Sequence, residues 1–73
     1  MKWNKVEDSL PKMERISEGW TMSDIVFILL NAKYPLVGRV NHNVPYDKNP
    51  QWVFDGWGKV THWAYVEYPN VEA

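Results

Sequence analysis

The residue types that most often carry out chemistry are sparse in this 73-residue chain. Its two histidines, His42 and His62, are well separated, and their neighbours of the same strand parity are mostly apolar. The two histidines together with Asp47 or Asp55 could bind zinc only if the fold brought them together, because their spacing matches no metal-ligand motif. We therefore expect both histidines to be hydrogen-bonded structural residues.

Nucleophilic and phosphate-binding motifs are also missing from the sequence. Ser9, Ser17 and Ser23 lack the strand-turn-helix context of a nucleophile elbow. The segment "GWGK" (56–59) lacks the glycine spacing of a phosphate-binding or dinucleotide-binding loop. A chain this short seldom encloses a substrate pocket. We predict that the protein is not an enzyme and has no catalytic, cofactor-binding or metal site.

The chain is rich in aromatic residues, with five Trp, four Tyr and two Phe. The segment "GWGKVTHWAYVEYP" (56–69) contains two Trp and two Tyr residues. Such side chains fill cores, stack on bases or anchor protein interfaces. The chain has no cysteine, so neither disulfides nor a thiolate zinc site can stabilise it. Core filling is therefore the first expectation for these aromatics.

The charge balance favours a protein partner over nucleic acid. Eight basic and nine acidic residues give a net charge of −1, whereas nucleic-acid-binding domains normally have a basic excess. No apolar run is long enough for a transmembrane helix, and the start has no secretory signal, which predicts a cytoplasmic protein. Membrane and small-molecule partners are not expected. A single-stranded nucleic-acid binder remains as a further hypothesis, with base stacking on Trp52, Trp57 and Trp63.

The elements that must position these residues belong to one domain over residues 1–73, with 1–2 and 70–73 expected to fray. "WNKV" (3–6) alternates like a short strand, and "KMERISEGW" (12–20) predicts one helical turn with Gly19 as its C-cap. "IVFILL" (25–30) is typical of a strand buried on both faces. A helix over 22–33, capped by Ser23 or Asp24, is the competing interpretation.

The second half of the chain contains three further predicted strands. "YPLVGRVNH" (34–42) has Pro35 near its start, where a sheet edge tolerates the missing N–H, and Gly38 indicates a bulge or a bulky neighbour. "NVPYDKNP" is a loop, and "QWVFD", "GWG" and "KVTHWAYVEY" together predict a hairpin. The expected fold is a small mainly-β domain, an antiparallel sheet of about four strands with a short helical turn. It would be α+β if residues 23–33 were helical.

Alternation along the last strand places apolar side chains on both of its faces. One face must therefore be covered either by the N-terminal segment with Trp3 and Trp20 or by a partner. The predicted core consists of Trp3, Val6, Leu10, Ile25, Phe27, Leu29, Val60 and Trp63. The predicted partner contacts are Trp57, Tyr65, Glu67 and Tyr68. Trp57 heads this set because an aromatic side chain between two glycines of a turn is hard to bury.

Two motifs give the chain a family resemblance. Trp3, Val6, Asp8 and "LP" (10–11) open it, and "VTHW" (60–63) with Pro69 closes it. In these motifs the chain resembles a family of small phage and prophage domains of uncharacterised function. That resemblance spans nearly the whole chain and implies a small β-rich domain without catalytic residues. The family usually ends in a short Pro-rich tail, whereas this chain ends in "AYVEYPNVEA".

In length and overall pattern the chain is also similar to phage transcription regulators that bind the host RNA polymerase. This similarity implies binding to bacterial RNA polymerase, through its β′ subunit, in the host cytoplasm. It implies inhibition of initiation by displacing or excluding the sigma factor, and antitermination during elongation. The alternative is a structural or self-assembling small phage protein that does not bind polymerase and associates through "IVFILL" and the aromatic hairpin.

Overall fold

The computed structural model describes residues 2–44 and 46–67, which form a curled antiparallel sheet without a helix. Six strands follow one path in the order β1-β7-β4-β5-β3-β2, and β6 pairs with β5. The strands are β1 (Asn4–Lys5), β2 (Met13–Ser17), β3 (Trp20–Ser23), β4 (Val26–Leu30), β5 (Tyr34–Asn43), β6 (Gln51–Phe54) and β7 (Val60–Ala64). The small mainly-β prediction is confirmed, but with more strands than the expected four. Within the described ranges, no helix has the length and apolar character to cross a membrane.

The helical turn predicted for residues 12–20 is wrong, because this segment forms a hairpin of β2 and β3. Gly19, expected to be a helix C-cap, has a positive φ of 75° in the turn between the two strands. Its carbonyl accepts a hydrogen bond from the Val44 N–H at 2.7 Å, which ties the turn to the end of β5. A left-handed glycine serves a hairpin turn as well as a helix end, so the local signal was ambiguous.

The competing helix over 22–33 is also excluded, because β3 and β4 lie one after the other along one edge of β5. β4 pairs with Tyr34–Gly38 and β3 pairs with Asn41–Asn43. Where the edge breaks, the Val40 N–H donates to Ser23 Oγ at 2.8 Å, and that hydroxyl donates to the Asp24 carbonyl at 2.9 Å. Ser23 thus replaces a missing strand partner at the bend between β3 and β4.

The prediction that β6 and β7 form a hairpin is wrong, because they do not pair with each other. β6 pairs with the other edge of β5, from Gly38 to Asn41, whereas β7 lies between β4 and β1. The connection 55–59 therefore crosses the end of the β4–β5 hairpin. A Cβ at Gly56 would lie 2.9 Å from Leu36 Cδ1, which shows how closely the crossing packs. Turn residues mark where a chain reverses but do not choose the strand with which it then pairs.

The core lies on one face of the curled sheet. Its buried cluster consists of Val26, Ile28, Leu30, Val60 and Trp63, with Val6, Leu36, Trp52 and Phe54 packed against it. The core predictions for Val60 and Trp63 are confirmed, and Val6 is partly buried. Trp3 and Leu10 are wrong as core residues, since they are 38% and 37% exposed.

The predicted core face of β4 is reversed. Val26, Ile28 and Leu30 are buried, whereas Phe27 and Leu29 point to the opposite face and Ile25 is 44% exposed. Because the side-chain period is two, a shift of one residue exchanges the whole set between faces. A run that is apolar at every position contains no polar residue to fix that choice.

A bulge in β7 explains why Val60 and Trp63 share the core face although strict alternation would separate them. Leu29 pairs with His62 and Leu30 pairs with Val60, so Thr61 is an extra residue in the ladder. Gly38 was predicted to mark either a bulge or a bulky neighbour, and the structure shows a close neighbour. A Cβ there would lie 2.9 Å from the Val53 carbonyl oxygen and 3.2 Å from Ile28 Cδ1.

Candidate protein-interaction surface

The face of the sheet opposite the core is apolar at its centre. Phe27 pairs with Val37 on one side and Ala64 on the other, and Leu29 pairs with Pro35 and His62. Directly opposed residues in a sheet project from the same face. We call this surface the outer face, formed by Phe27, Leu29, Pro35, Val37, Val53 and His62. Ala64 lies on the same side of the sheet but is fully buried.

Part of the outer face is open to solvent. Val37 and Val53 are 53% and 48% exposed, and Phe27 and Leu29 are partly buried. The molecule measures 39 × 35 × 23 Å, so its broad sides are large for a chain of this length. Contiguous exposed apolar surface of this kind marks interaction sites in small proteins.

Cationic side chains flank the apolar centre on both sides. Lys5 pairs with His62 at the β1 side, and Arg39 pairs with Val53 at the β6 side. The Arg39 guanidinium donates to Met22 Sδ at 3.2 Å, which fixes its position beside the valines. An apolar centre with arginine beside it is the usual composition of a protein interface.

Asn41 adds an unsatisfied acceptor to the same side of β5, two residues beyond Arg39. Its Oδ1 is buried and has no hydrogen-bond partner among the described residues. An unpaired buried acceptor costs about 1–3 kcal/mol. Because this oxygen is buried, it is not accessible to a bound molecule in this arrangement and adds nothing to the candidate surface.

Trp57 is 95% exposed at the crossing connection 55–59. The backbone around it is held by Asn31, whose N–H donates to the Lys59 carbonyl at 2.8 Å and whose Oδ1 accepts from the Lys59 N–H at 3.4 Å. Gly58 has a φ of 130°, a conformation that other residues rarely adopt. The connection is thus anchored at its end while the indole extends into solvent.

Tyr65 has a structural contact as well as an exposed side. Its ring meets Trp63 edge-on at 4.8 Å between centroids, and its hydroxyl accepts the Lys12 N–H at 3.0 Å. These contacts hold the N-terminal segment against the end of β7, and the Trp63 indole N–H donates to the Ser9 carbonyl at 2.9 Å. Tyr65 is nevertheless 52% exposed.

The predicted contact residues do not form one patch. The five residues of β7 separate Trp57 from Tyr65 along the chain, and at ~3.3 Å per residue they span ~17 Å of backbone. Glu67 is exposed near Tyr65. Tyr68 lies outside the described residues. Trp57 and the Tyr65–Glu67 pair are therefore separate candidate contacts at opposite ends of one strand.

Both histidines are hydrogen-bonded, as predicted. His42 Nε2 lies 3.1 Å from the Asp47 carbonyl oxygen, and His62 Nδ1 lies 2.9 Å from Thr61 Oγ1. The described residues contain no group of three or more metal-ligating side chains placed to hold an ion. The side chain of Ser23 is engaged by the backbone of the neighbouring strand.

The base-stacking hypothesis loses its geometric basis. Trp63 is 3% exposed, whereas Trp57 is 95% exposed, so they do not share an accessible row. Trp52 packs against the core cluster. A nucleic-acid platform needs its aromatic rings exposed together on one surface.

Sequence reasoning missed Val37, Arg39 and Val53 as surface candidates. For Val37 and Arg39 the signal was present in "YPLVGRV", where they alternate with the buried residues of β5, but it required knowledge of which parity faces the core. Val53 lies in β6 and joins them only through the pairing of β6 with β5. Comparisons of the chain with protein-family models, with curated proteins and with solved structures find no match.

Proposed function

We propose that this chain is a phage-encoded, non-catalytic protein that binds host bacterial RNA polymerase through the outer face, with the exposed Trp57 of the connection 55–59 as a separate contact. By occupying the enzyme, through its β′ subunit, it displaces or excludes the sigma factor at initiation and promotes antitermination during elongation. The partner in this proposal comes from the resemblance in sequence pattern. The observation that carries a protein-binding role is the apolar outer face with Val37 and Val53 half exposed.

The area of the sheet and the charges beside its apolar centre both suit a protein interface. An ordinary stable interface buries roughly 800 Å² on each partner. The broad side of a molecule measuring 39 × 35 × 23 Å is sufficient for such an interface. Arg39 and Lys5 flank the apolar centre and match a partner surface with an acidic rim. A domain that acts by occupying the enzyme shifts the equilibrium between sigma and core enzyme when it binds the sigma-free enzyme more tightly than the sigma-bound form.

The second candidate function is self-association as a structural phage protein. It is favoured by the same open face and by β6, which among the described residues pairs only with β5. An unpaired strand edge beside exposed apolar side chains invites pairing with another copy. The two functions differ in the species they predict: self-association predicts a dimer or larger species of the chain alone, whereas the regulator predicts a complex with polymerase.

The test is size-exclusion chromatography of the purified chain with the host RNA polymerase, supplied once as core enzyme and once bound to sigma. We expect co-elution with the core enzyme and loss of sigma from the bound form. Failure to co-elute with either form over a series of salt concentrations would contradict the polymerase proposal. A dimer or larger species of the chain alone at micromolar concentration would support self-association instead.

A further inference from the structure

A groove separate from the open, valine-bearing part of the outer face runs beside the start of β7. It has a volume of about 460 Å³, within the usual range of roughly 300–1,000 Å³ for ligand-binding clefts. Val6, Ala32 and Val60 give it an apolar lining. Three parts of the chain supply its walls: the segment around β1, the turn between β4 and β5, and β7.

The charge of the groove is opposite in sign to that of the whole chain. Lys5, Lys59 and His62 line it, together with one carboxylate, Glu7. Two ammonium groups therefore face one carboxylate, in a protein with a net charge of −1. An anionic group placed beside these lysines is attracted to the groove.

The β7 bulge ties the groove walls together. Thr61 Oγ1 accepts the Ala32 N–H at 2.7 Å and donates to the Leu29 carbonyl at 3.3 Å. The Thr61 carbonyl accepts the Val6 N–H at 2.9 Å from the opposite wall. With the hydroxyl proton directed at Leu29, the His62 Nδ1–H donates to Thr61 Oγ1 at 2.9 Å. Bulges of this kind reorient side chains beside binding sites, and a site fixed in advance costs less to order on binding.

We propose that this groove binds an extended acidic peptide segment of a partner protein. An apolar side chain of the segment lies on Val6 and Val60, and its carboxylates lie beside Lys5 and Lys59. Charge complementarity together with the apolar floor selects this occupant. Single-stranded nucleic acid fits less well, because its binding sites usually present several stacking rings alongside cations, and the lining residues include no Trp, Tyr or Phe. The proposal does not depend on the partner of the outer face being RNA polymerase.

The experiment follows backbone amide chemical shifts of the isotope-labelled full chain during titration with a short peptide of alternating Val and Glu. A peptide of alternating Val and Lys and a short oligothymidylate serve as comparison ligands. We expect saturable shifts at Lys5, Ala32 and Lys59–His62 with the acidic peptide only, weakened by high salt. Lys59→Gln should reduce the affinity roughly two- to five-fold, as for the loss of one exposed ion pair.

Lys48→Gln is the matched control, since Lys48 is also exposed but lies in the connection between β5 and β6. It should leave the affinity unchanged, and the amide spectrum itself reports whether each variant is folded. Shifts that map elsewhere, absence of saturation, or equal binding of the lysine peptide would overturn the proposal. Tighter binding of oligothymidylate at the same amides would also overturn it, in favour of a nucleic-acid site.

Discussion

The two tryptophans at either end of the β7 region show how backbone context sets the role of a residue. Trp57 stands in the crossing connection and is 95% exposed, whereas Trp63 is 3% exposed beside Ile28. The glycines on either side of Trp57 let the connection pack closely: a Cβ at Gly56 would lie 2.9 Å from Leu36 Cδ1, and one at Gly58 would lie 3.0 Å from Asn31 Nδ2. An exposed tryptophan on an anchored loop suits an interface anchor better than a core residue.

At the residue scale we predict that Trp57→Ala leaves the fold intact and weakens polymerase binding. The free energy of unfolding should change by no more than about 0.5 kcal/mol, as for other surface substitutions. The affinity for polymerase should fall about five-fold or more, because truncating an interface anchor costs more than about 1 kcal/mol. Urea unfolding followed by circular dichroism and a binding titration measure the two effects.

The control for Trp57 is Trp63→Ala, which should lose about 3–5 kcal/mol of stability because it empties the core. If instead Trp57→Ala unfolded the domain, Trp57 would be a core residue and its predicted partner role would be wrong. Unchanged affinity in a folded Trp57→Ala variant would equally remove it from the interface.

Ser23 shows, at the scale of the element, how one hydroxyl bends a sheet. β3 and β4 share one edge of β5, and the bend between them leaves the Val40 N–H without a strand partner. Ser23 is 3% exposed and its Oγ accepts that N–H at 2.8 Å. A buried backbone donor is rarely left unpaired, so the bend depends on this contact.

Ser23→Ala should therefore destabilise the domain by about 1–3 kcal/mol, the cost of a buried donor without a partner. Denaturant unfolding measures the loss, and hydrogen exchange of the Val40 amide reports it locally. The control is Ser17→Ala, because Ser17 is exposed at the end of β2 and should show little change. Equal stability of the Ser23 variant with slow exchange at Val40 would contradict the role of this hydroxyl.

Element positions were more predictable than element pairing. The strands at 26–30, 34–43 and 51–54 were predicted close to their observed bounds, because apolar runs between turn residues identify strands locally. The last strand was predicted over 59–68 but ends at Ala64. The pairing of β6 with β5 and of β7 with β4 was not predicted, because it depends on contacts between residues that are distant in sequence. The Thr61 bulge and the reversed parity of β4 likewise depend on neighbours that no local pattern specifies.

The whole molecule is one curled sheet whose two faces differ in burial, since one holds the core and the other is partly exposed. The concave side encloses Val26, Ile28, Leu30, Val60 and Trp63, and the outer face keeps apolar side chains without a second layer over Val37 and Val53. A chain this short cannot build a core on both sides of its sheet. The exposed apolar side chains of the outer face are Val37 of β5 and Val53 of β6, whereas β7, the strand for which the sequence predicted a need for cover, has no exposed residue.

The candidate site was only partly predictable at this scale. Trp57 was identified from its own glycine neighbours, whereas Val37, Arg39 and Val53 become neighbours only through the pairing of β5 with β6. Lys5 and Lys59 are far apart in sequence and meet in one groove only after β1 pairs with β7. Local signals find isolated exposed side chains, and surfaces assembled from several strands require the topology.

The most direct test of the account compares Val37→Glu with Val44→Glu in a polymerase-binding titration. The two valines are 53% and 52% exposed, but Val37 lies on the outer face and Val44 lies just beyond the end of β5. Val37→Glu should weaken binding roughly ten-fold or more, because it would bury an unpaired charge in the interface. Val44→Glu should bind like the unmodified chain, and both variants should unfold at similar denaturant concentrations. Unchanged binding of the folded Val37→Glu variant, or an equal loss in both, would contradict the outer face as the partner-binding surface.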